Sequence, residues 1–165
     1  MKMSKAMTEA INKQINAEMY SSYLYLSMAA FLEDKNLKGM ARWMIAQASE
    51  ENSHARKFYE YVYEREGRVL LEAIDKPPQD WDSALAVFED ALAHERKVTG
   101  LINGLADQAD KDGDRATAIF LQWFISEQVE EEDAVQDIVE RLKLFVNKPQ
   151  ALYMLDRELG QRGAQ

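Results

Sequence analysis

Glu18, Glu51, Glu95 and Glu127 each interrupt the apolar stripe of a different helical pattern, close to the midpoint of that pattern. An ionised carboxylate buried without a partner is strongly unfavourable, and four buried together are worse. In an antiparallel bundle the four midpoints lie at one level, so the four acids meet. A multivalent cation bound between them is the economical explanation.

Glu51-Asn52-Ser53-His54 is a Glu-x-x-His pair. Residues i and i+3 are neighbours on a helix face, so carboxylate and imidazole can share one metal. Alone the motif is weak, and a surface salt bridge is its ordinary reading. His54, however, is one of only two histidines and falls on the core stripe beside three other carboxylates. Carboxylates with one imidazole suit Fe, Mn or, less selectively, Zn, and no thiolate pulls toward copper(I). Two such ions bridged by a Glu, with few protein ligands each, leave positions open for oxygen.

Three further features surround this set. Glu127, Glu130 and Glu131 stand at i, i+3 and i+4 on one face, and Glu50 can face the same side. These four acids offer a further, more exposed cation site, whereas Glu132 and Asp133 read as solvated. Tyr25 lies two turns beyond Glu18 on the same face and can donate a hydrogen bond or an electron. A core tyrosine satisfied by a carboxylate fits the spacing equally well. His94 points roughly 100° away from Glu95 and reads as a surface or interface histidine.

The elements that must position these groups are helices. Periodicity places them at about 6–35, 39–66, 83–111 and 113–146, with a short fifth at about 149–160 that starts on Pro149. The inward stripes read Ile11, Ile15, Glu18, Ser22, Tyr25, Ala29, Leu32 on the first helix and Met40, Met44, Gln47, Glu51, His54, Phe58, Tyr61 on the second. The third gives Phe88, Ala91, Glu95, Val98, Ile102, Leu105, and the fourth Phe120, Phe124, Glu127, Glu131, Ala134, Ile138, Phe145. Short turns at Asn36-Leu37-Lys38 and Lys111-Asp112-Gly113-Asp114 make two antiparallel hairpins. Gly67 closes the second helix, and Gly160 and Gly163 end the order. The segment from Gly67 to Trp81 contains Pro77-Pro78, which no helix interior accepts, and roughly 15 extended residues can span a helix of about 40 Å. The expected fold is all-α, a four-helix bundle with one long crossover, as one domain over 1–165. Gly100 and Gly104 suggest close packing or a bend in the third helix.

Composition narrows the function. A net charge of −9 speaks against nucleic acid and anionic membranes, which reward basic surfaces, and suits a protein that attracts cations. The absence of Cys excludes disulfides, thiolate zinc sites and cysteine-ligated iron–sulfur clusters. The start has no signal-peptide pattern, and no apolar stretch approaches the roughly 20 residues that span a bilayer. The expectation is a soluble, cytoplasmic protein.

From about Met7 to Leu159 the chain resembles the bacterial non-haem ferritins. The resemblance is carried by Asn16-Ala-Glu18-Met-Tyr-Ser-Ser22, by Glu50-Glu51-x-x-His54, and by Phe120-Leu-Gln-Trp-Phe-Ile-Ser-Glu127-Gln128-Val-Glu-Glu-Glu132. It implies the ferritin-like bundle with one long crossover, the arrangement in which di-iron carboxylate proteins build their sites. It also implies a hollow 24-subunit cage that oxidises Fe(II) with dioxygen or hydrogen peroxide and stores ferric mineral. By matching position, Glu18, Glu51 and His54 would hold a first iron. Glu51 would bridge to a second iron held by Glu95, with Glu131 and Gln128 nearby. Glu50, Glu127, Glu130 and Glu131 match the bacterial third iron site, and Tyr25 matches a tyrosine that contacts the centre.

Near relatives differ at readable positions. Bacterioferritins repeat Glu-x-x-His on the fourth helix, where this chain has Glu130, and bind haem through a methionine where it has Asn52, so no haem is expected. Rubrerythrins add a cysteine-rich domain, and miniature ferritins build their site between subunits. Animal ferritins line an iron channel with acids at the positions of Ala118 and Leu121, and face the mineral with acids where this chain has Ser53 and Arg56. Two other readings use the same residues. One is a di-iron oxidase or peroxide scavenger storing little. The other is a structural bundle whose acids pair with Arg or Lys, for which the stripes offer too few bases.

Overall fold

The computed structural model describes residues 1–162 and contains, among them, five helices: α1 (Lys5–Asp34), α2 (Lys38–Glu64), α3 (Ala84–Asp112), α4 (Arg115–Leu144) and α5 (Pro149–Leu159). The expected end of order at Gly163 lies outside the described residues. Helix starts follow local chemistry. Ser4 and Ser83 accept from Met7 N and Ala86 N at 3.0 and 3.1 Å, and Asp114 accepts from Thr117 N at 3.1 Å. These side chains satisfy donors that a first turn leaves unpaired. Gly113 closes α3 at φ 65°, the left-handed conformation that glycine adopts without cost. At the end of α2 that conformation falls to Glu66 (φ 58°) rather than Gly67, whose N–H closes the turn on Val62 O at 2.8 Å.

The long connection runs the length of the bundle along α1. Asn12 donates to Arg68 O and accepts from Leu70 N (3.0 and 2.7 Å), and Asn16 donates to Ala73 O at 3.1 Å. Ser27 donates to Pro78 O, and Trp81 packs edge-on against Phe31. The crossover therefore returns the chain to the far end, and α3 descends antiparallel to α1. This is the four-helix bundle with one long crossover and a short fifth helix.

Two apolar clusters fill the interior. One, at the level of Leu24, Met28, Met44, Phe88 and Ile138, also takes in Leu155 and Leu159 of α5. The other contains Met7, Ile11, Phe58, Ile102, Leu121 and Phe124. Between them lies a polar layer. Beyond the lower cluster, the buried Arg65 guanidinium binds both oxygens of Asp114 (2.9 and 3.0 Å), Thr117 Oγ1, Tyr61 OH and Met1 O. This network ties the end of α2 to the start of α4.

Helix α5 docks on the start of α2. Asp156 Oδ1 accepts from Met40 N at 2.9 Å, and Arg141 of α4 grips Glu158 with both Nη atoms. The close approach is made at Gly39, where a Cβ would lie 1.6 Å from Asp156 O, and at Gly160 against Gly39. Gly100 and Gly104 do not pack closely. Both are exposed, and a Cβ on either would meet nothing within 4 Å.

Candidate metal centre

The polar layer is built from one buried carboxylate per long helix: Glu18 (1 % exposed), Glu51 (2 %), Glu95 (0 %) and Glu131 (5 %). The fourth corrects the sequence reading. On α4 the buried face runs Leu121, Phe124, Gln128, Glu131, Val135. It steps four residues from Phe124, so Glu127 is half-buried at the edge and Ala134 is exposed. At 3.6 residues per turn both steps keep roughly to one face, and packing chose the second.

Neutral donors hold the acids in place. Gln14 donates to Glu18 Oε1 at 2.7 Å, and Gln47 donates to Glu131 Oε2 at 2.5 Å and Glu51 Oε1 at 3.5 Å. Gln128 donates to Glu95 Oε2 at 3.1 Å, and the Tyr25 hydroxyl donates to Glu95. His54 Nδ1 stands 3.2 Å from Glu51 Oε2, and its ring meets Trp123 and Phe124 edge-on. Among the described residues no Lys or Arg forms an ion pair with any of the four acids. The acid–base pairing that a purely structural bundle requires is therefore missing. Glu18 Oε2 is the one buried side-chain oxygen or nitrogen among the described residues without a hydrogen-bond partner.

Burial and mutual repulsion dominate the electrostatics. Burial first, then Glu51, holds the Glu18 carboxyl well above its ordinary range. Burial, then Glu95 and Glu131, does the same to Glu51, and burial also raises Glu95. Glu131 is pushed from 4.5 up to about 7 by burial, then by Glu95 and Glu50. Burial and the neighbouring Glu95 also raise Tyr25. Without a cation, burial and mutual repulsion favour the protonated form of these carboxyls, and a bound cation favours the ionised form.

Among the described residues two groups have the spacing to hold an ion. Ligand atoms of Glu18, Glu51 and His54 lie within 4.8 Å of one another, as do those of Glu50, His54, Glu127 and Glu131. His54 belongs to both. The first group is buried, and the second opens outward through half-buried Glu50 and Glu127. Glu95 joins neither group but sits against Tyr25 and Gln128. Glu130 is exposed, in neither group, and lines a groove of about 590 Å³ between α3 and α4 with Arg96, Thr99 and Gln128. His94 is half-buried rather than fully exposed. Its Nε2 lies 2.7 Å from Ser21 Oγ, and burial, then Lys97, lowers its pKa to about 4. Leu121 is fully buried, and Ser53 and Arg56 are exposed.

Sequence reasoning placed Gln47 on the inward stripe without a role and passed over Gln14 and Arg162. The first two had a readable signal, because Gln14–Glu18 and Gln47–Glu51 repeat one i, i+4 pair on adjacent helices. No local pattern marks Arg162.

Comparison with known proteins agrees with this architecture. Residues 8–145 match the ferritin family model, described as a ferritin-like domain. A bacterial non-heme ferritin of Staphylococcus saprophyticus is 39% identical over 160 residues, covering 97% of this chain and 96% of the relative. One from Bacteroides fragilis is 41% identical over 160 residues, covering 97% and 99%. Among solved structures, an open pore ferritin of the hyperthermophilic archaeon Archaeoglobus fulgidus superposes with a TM-score of 0.96 at 50% identity, over 97% of this chain and 98% of that one. A bundle that divides its core around four buried carboxylates with no Lys or Arg partner among the described residues, matched in sequence and fold over nearly its whole length, places this chain in the ferritin family.

Proposed function

We propose that the protein, one ferritin-like domain over its length, oxidises Fe(II) at the carboxylate layer and stores the ferric product inside a 24-subunit cage. The observation that carries the reading is the buried Glu18 Oε2 with no partner, in a layer of four acids without a cationic side chain. Such an atom is costly unless a cation completes it. Family membership supports iron storage in general.

Fe(II) is the substrate. Glu18, Glu51 and His54 hold one ion. Glu51 turns toward Glu95 and Glu131 and shares a second with them. Glu50, Glu127 and Glu131, with His54 at the edge and Glu130 further out, bind a third. Carboxylate oxygens are hard donors that favour Fe(III) over Fe(II), which lowers the potential and drives the oxidation. Two Fe(II) ions give one electron each. Dioxygen takes both electrons with two protons to leave hydrogen peroxide, and peroxide takes both with two protons to leave two waters. Ion binding displaces protons from the raised carboxyls, which makes binding depend on pH. Tyr25 and Gln128 fix the Glu95 carboxylate, and Gln47 fixes Glu131, so the acceptor oxygens are oriented before the ions arrive. The proposed location is cytoplasmic; no described helix is long and apolar enough to cross a membrane.

The test is anaerobic titration of the metal-free protein with Fe(II), followed by air and absorbance in the ferric–oxo region. Fast colour saturating at two or three irons per chain, then slow growth to hundreds per cage, is expected. Fast colour that stops at two makes the protein an oxidase with little storage, and no acceleration overturns the iron chemistry altogether.

A further inference from the structure

Arg162 follows the last turn of α5 and reaches the metal centre from outside the four-helix bundle. Its Nη1 donates to Gln47 Oε1 at 2.7 Å, and its Nη2 donates to Glu50 Oε2 at 2.8 Å. The guanidinium carbon lies 4.5 Å from the centre of the Trp43 ring. Two contacts at fixed angles and a ring face are what a planar guanidinium holds better than any other side chain.

Each partner belongs to the centre. Glu50 is one of the four residues of the outer group. Gln47 is fully buried, and its amide has one accepting and one donating end. With its oxygen engaged by Arg162, its nitrogen faces Glu131 and Glu51. The arginine is delivered by a docked element, since Asp156, Glu158 and the Gly39–Gly160 approach hold α5 against α2 and α4. The pair is nonetheless open to water, with the Arg162 and Glu50 side chains 32% and 36% exposed. It can therefore part without stranding a buried charge.

We propose that Arg162 is a built-in counter-cation of the outer group: it holds Glu50 in the metal-free protein and competes with a divalent cation for that carboxylate. Through Gln47 the same guanidinium links the C-terminal turn to the inner group. Arg162 is a positioning residue, and its role rests on the outer group being a cation site. A unit positive charge a few ångströms from an incoming dication opposes it, and an exposed pair of this kind corresponds to up to about a fivefold change in affinity.

The experiment is calorimetric titration of the metal-free, full-length protein with Zn(II), which is redox-inert and reads binding without oxidation. Arg162→Gln is expected to tighten the weaker class of sites up to about fivefold and leave the tighter class within about twofold. Arg162→Lys keeps the charge and stays within about twofold of the parent protein. Glu50→Gln removes the weaker class. Mere loosening of the C-terminal turn would free Gln47 and weaken both classes, so tightening separates competition from structural damage. If Glu50→Gln abolishes the weaker class but Arg162→Gln leaves it unchanged or weaker, the arginine's role is overturned and the outer site stands. If Glu50→Gln changes nothing, the outer group is not a cation site and the proposal falls with it.

Discussion

Glu131→Gln should make the metal-free protein more stable above neutral pH while damaging its metal binding. Glu131 is 5 % exposed, and its carboxyl is pushed from 4.5 up to about 7 by burial, then Glu95 and Glu50. The sign follows from where the proton sits. Below 4.5 both folded and unfolded chains carry it, so folding is unaffected. Between 4.5 and about 7 the unfolded chain loses the proton and the folded one keeps it, so stability falls as pH rises. Above about 7 both are ionised, and the folded state bears the full cost of a buried charge. At about 1.4 kcal/mol for each tenfold change in proton affinity, the gap is worth about 3 kcal/mol at pH 8 and under about 1 kcal/mol at pH 5. Glutamine carries no charge and can still accept from Gln47, so the substitution removes the cost and keeps the hydrogen bond. Urea unfolding with a chelator present, at one protomer concentration and at pH 5 and 8, measures it. A gain at pH 8 no larger than the gain at pH 5 would refute the reasoning, because Glu131 would then not be held protonated by its surroundings.

Glu18→Ala and His54→Ala should each slow the first phase of Fe(II) oxidation at least about tenfold while gel filtration shows an unchanged assembly; unaltered kinetics in either variant would remove that residue from the centre. Divalent cation binding should tighten as pH rises through about 7 and release protons, which titrations in two buffers of different ionisation enthalpy detect; buffer-independent heats would mean the carboxyls are already ionised. Gly39→Ala sets a Cβ 1.6 Å from Asp156 O, so α5 should lift from α2 at a cost of about 3 kcal/mol or more. Faster proteolysis within residues 145–162 is the expected sign, and parental resistance would show that the approach can relax.

The legible part of this molecule was the part written as a contradiction of a pattern. Glu18, Glu51 and Glu95 stand in apolar stripes where only a ligand excuses them, and the break at Gly113 and the helix start at Pro149 were marked by the residues themselves. Helix α4 was harder because Glu127, Gln128, Glu130 and Glu131 are all polar. With no apolar contrast, a step of three and a step of four read alike, and packing against α2 and α3 decided for Gln128 and Glu131. Gly100 and Gly104 look like packing glycines by spacing, while the crowded one, Gly39, has no such pattern. Its neighbour Asp156 is 117 positions away and arrives only when α5 docks. Arg162 is illegible for the same reason.

The division of the core explains how four raised carboxyls are tolerated. Glu18, Glu51, Glu95 and Glu131 destabilise the metal-free bundle as pH rises, yet they lie between two apolar clusters that need no help from them. Each cluster draws on all four long helices, so the layer is clamped from above and below. The amide and phenol groups of Gln14, Gln47, Gln128 and Tyr25 orient the acid oxygens without neutralising them. An Arg or Lys in their place would stabilise the metal-free protein and close the site to cations. Among the described residues the one guanidinium that does reach the centre, on Arg162, is confined to its outer edge, where water can receive it.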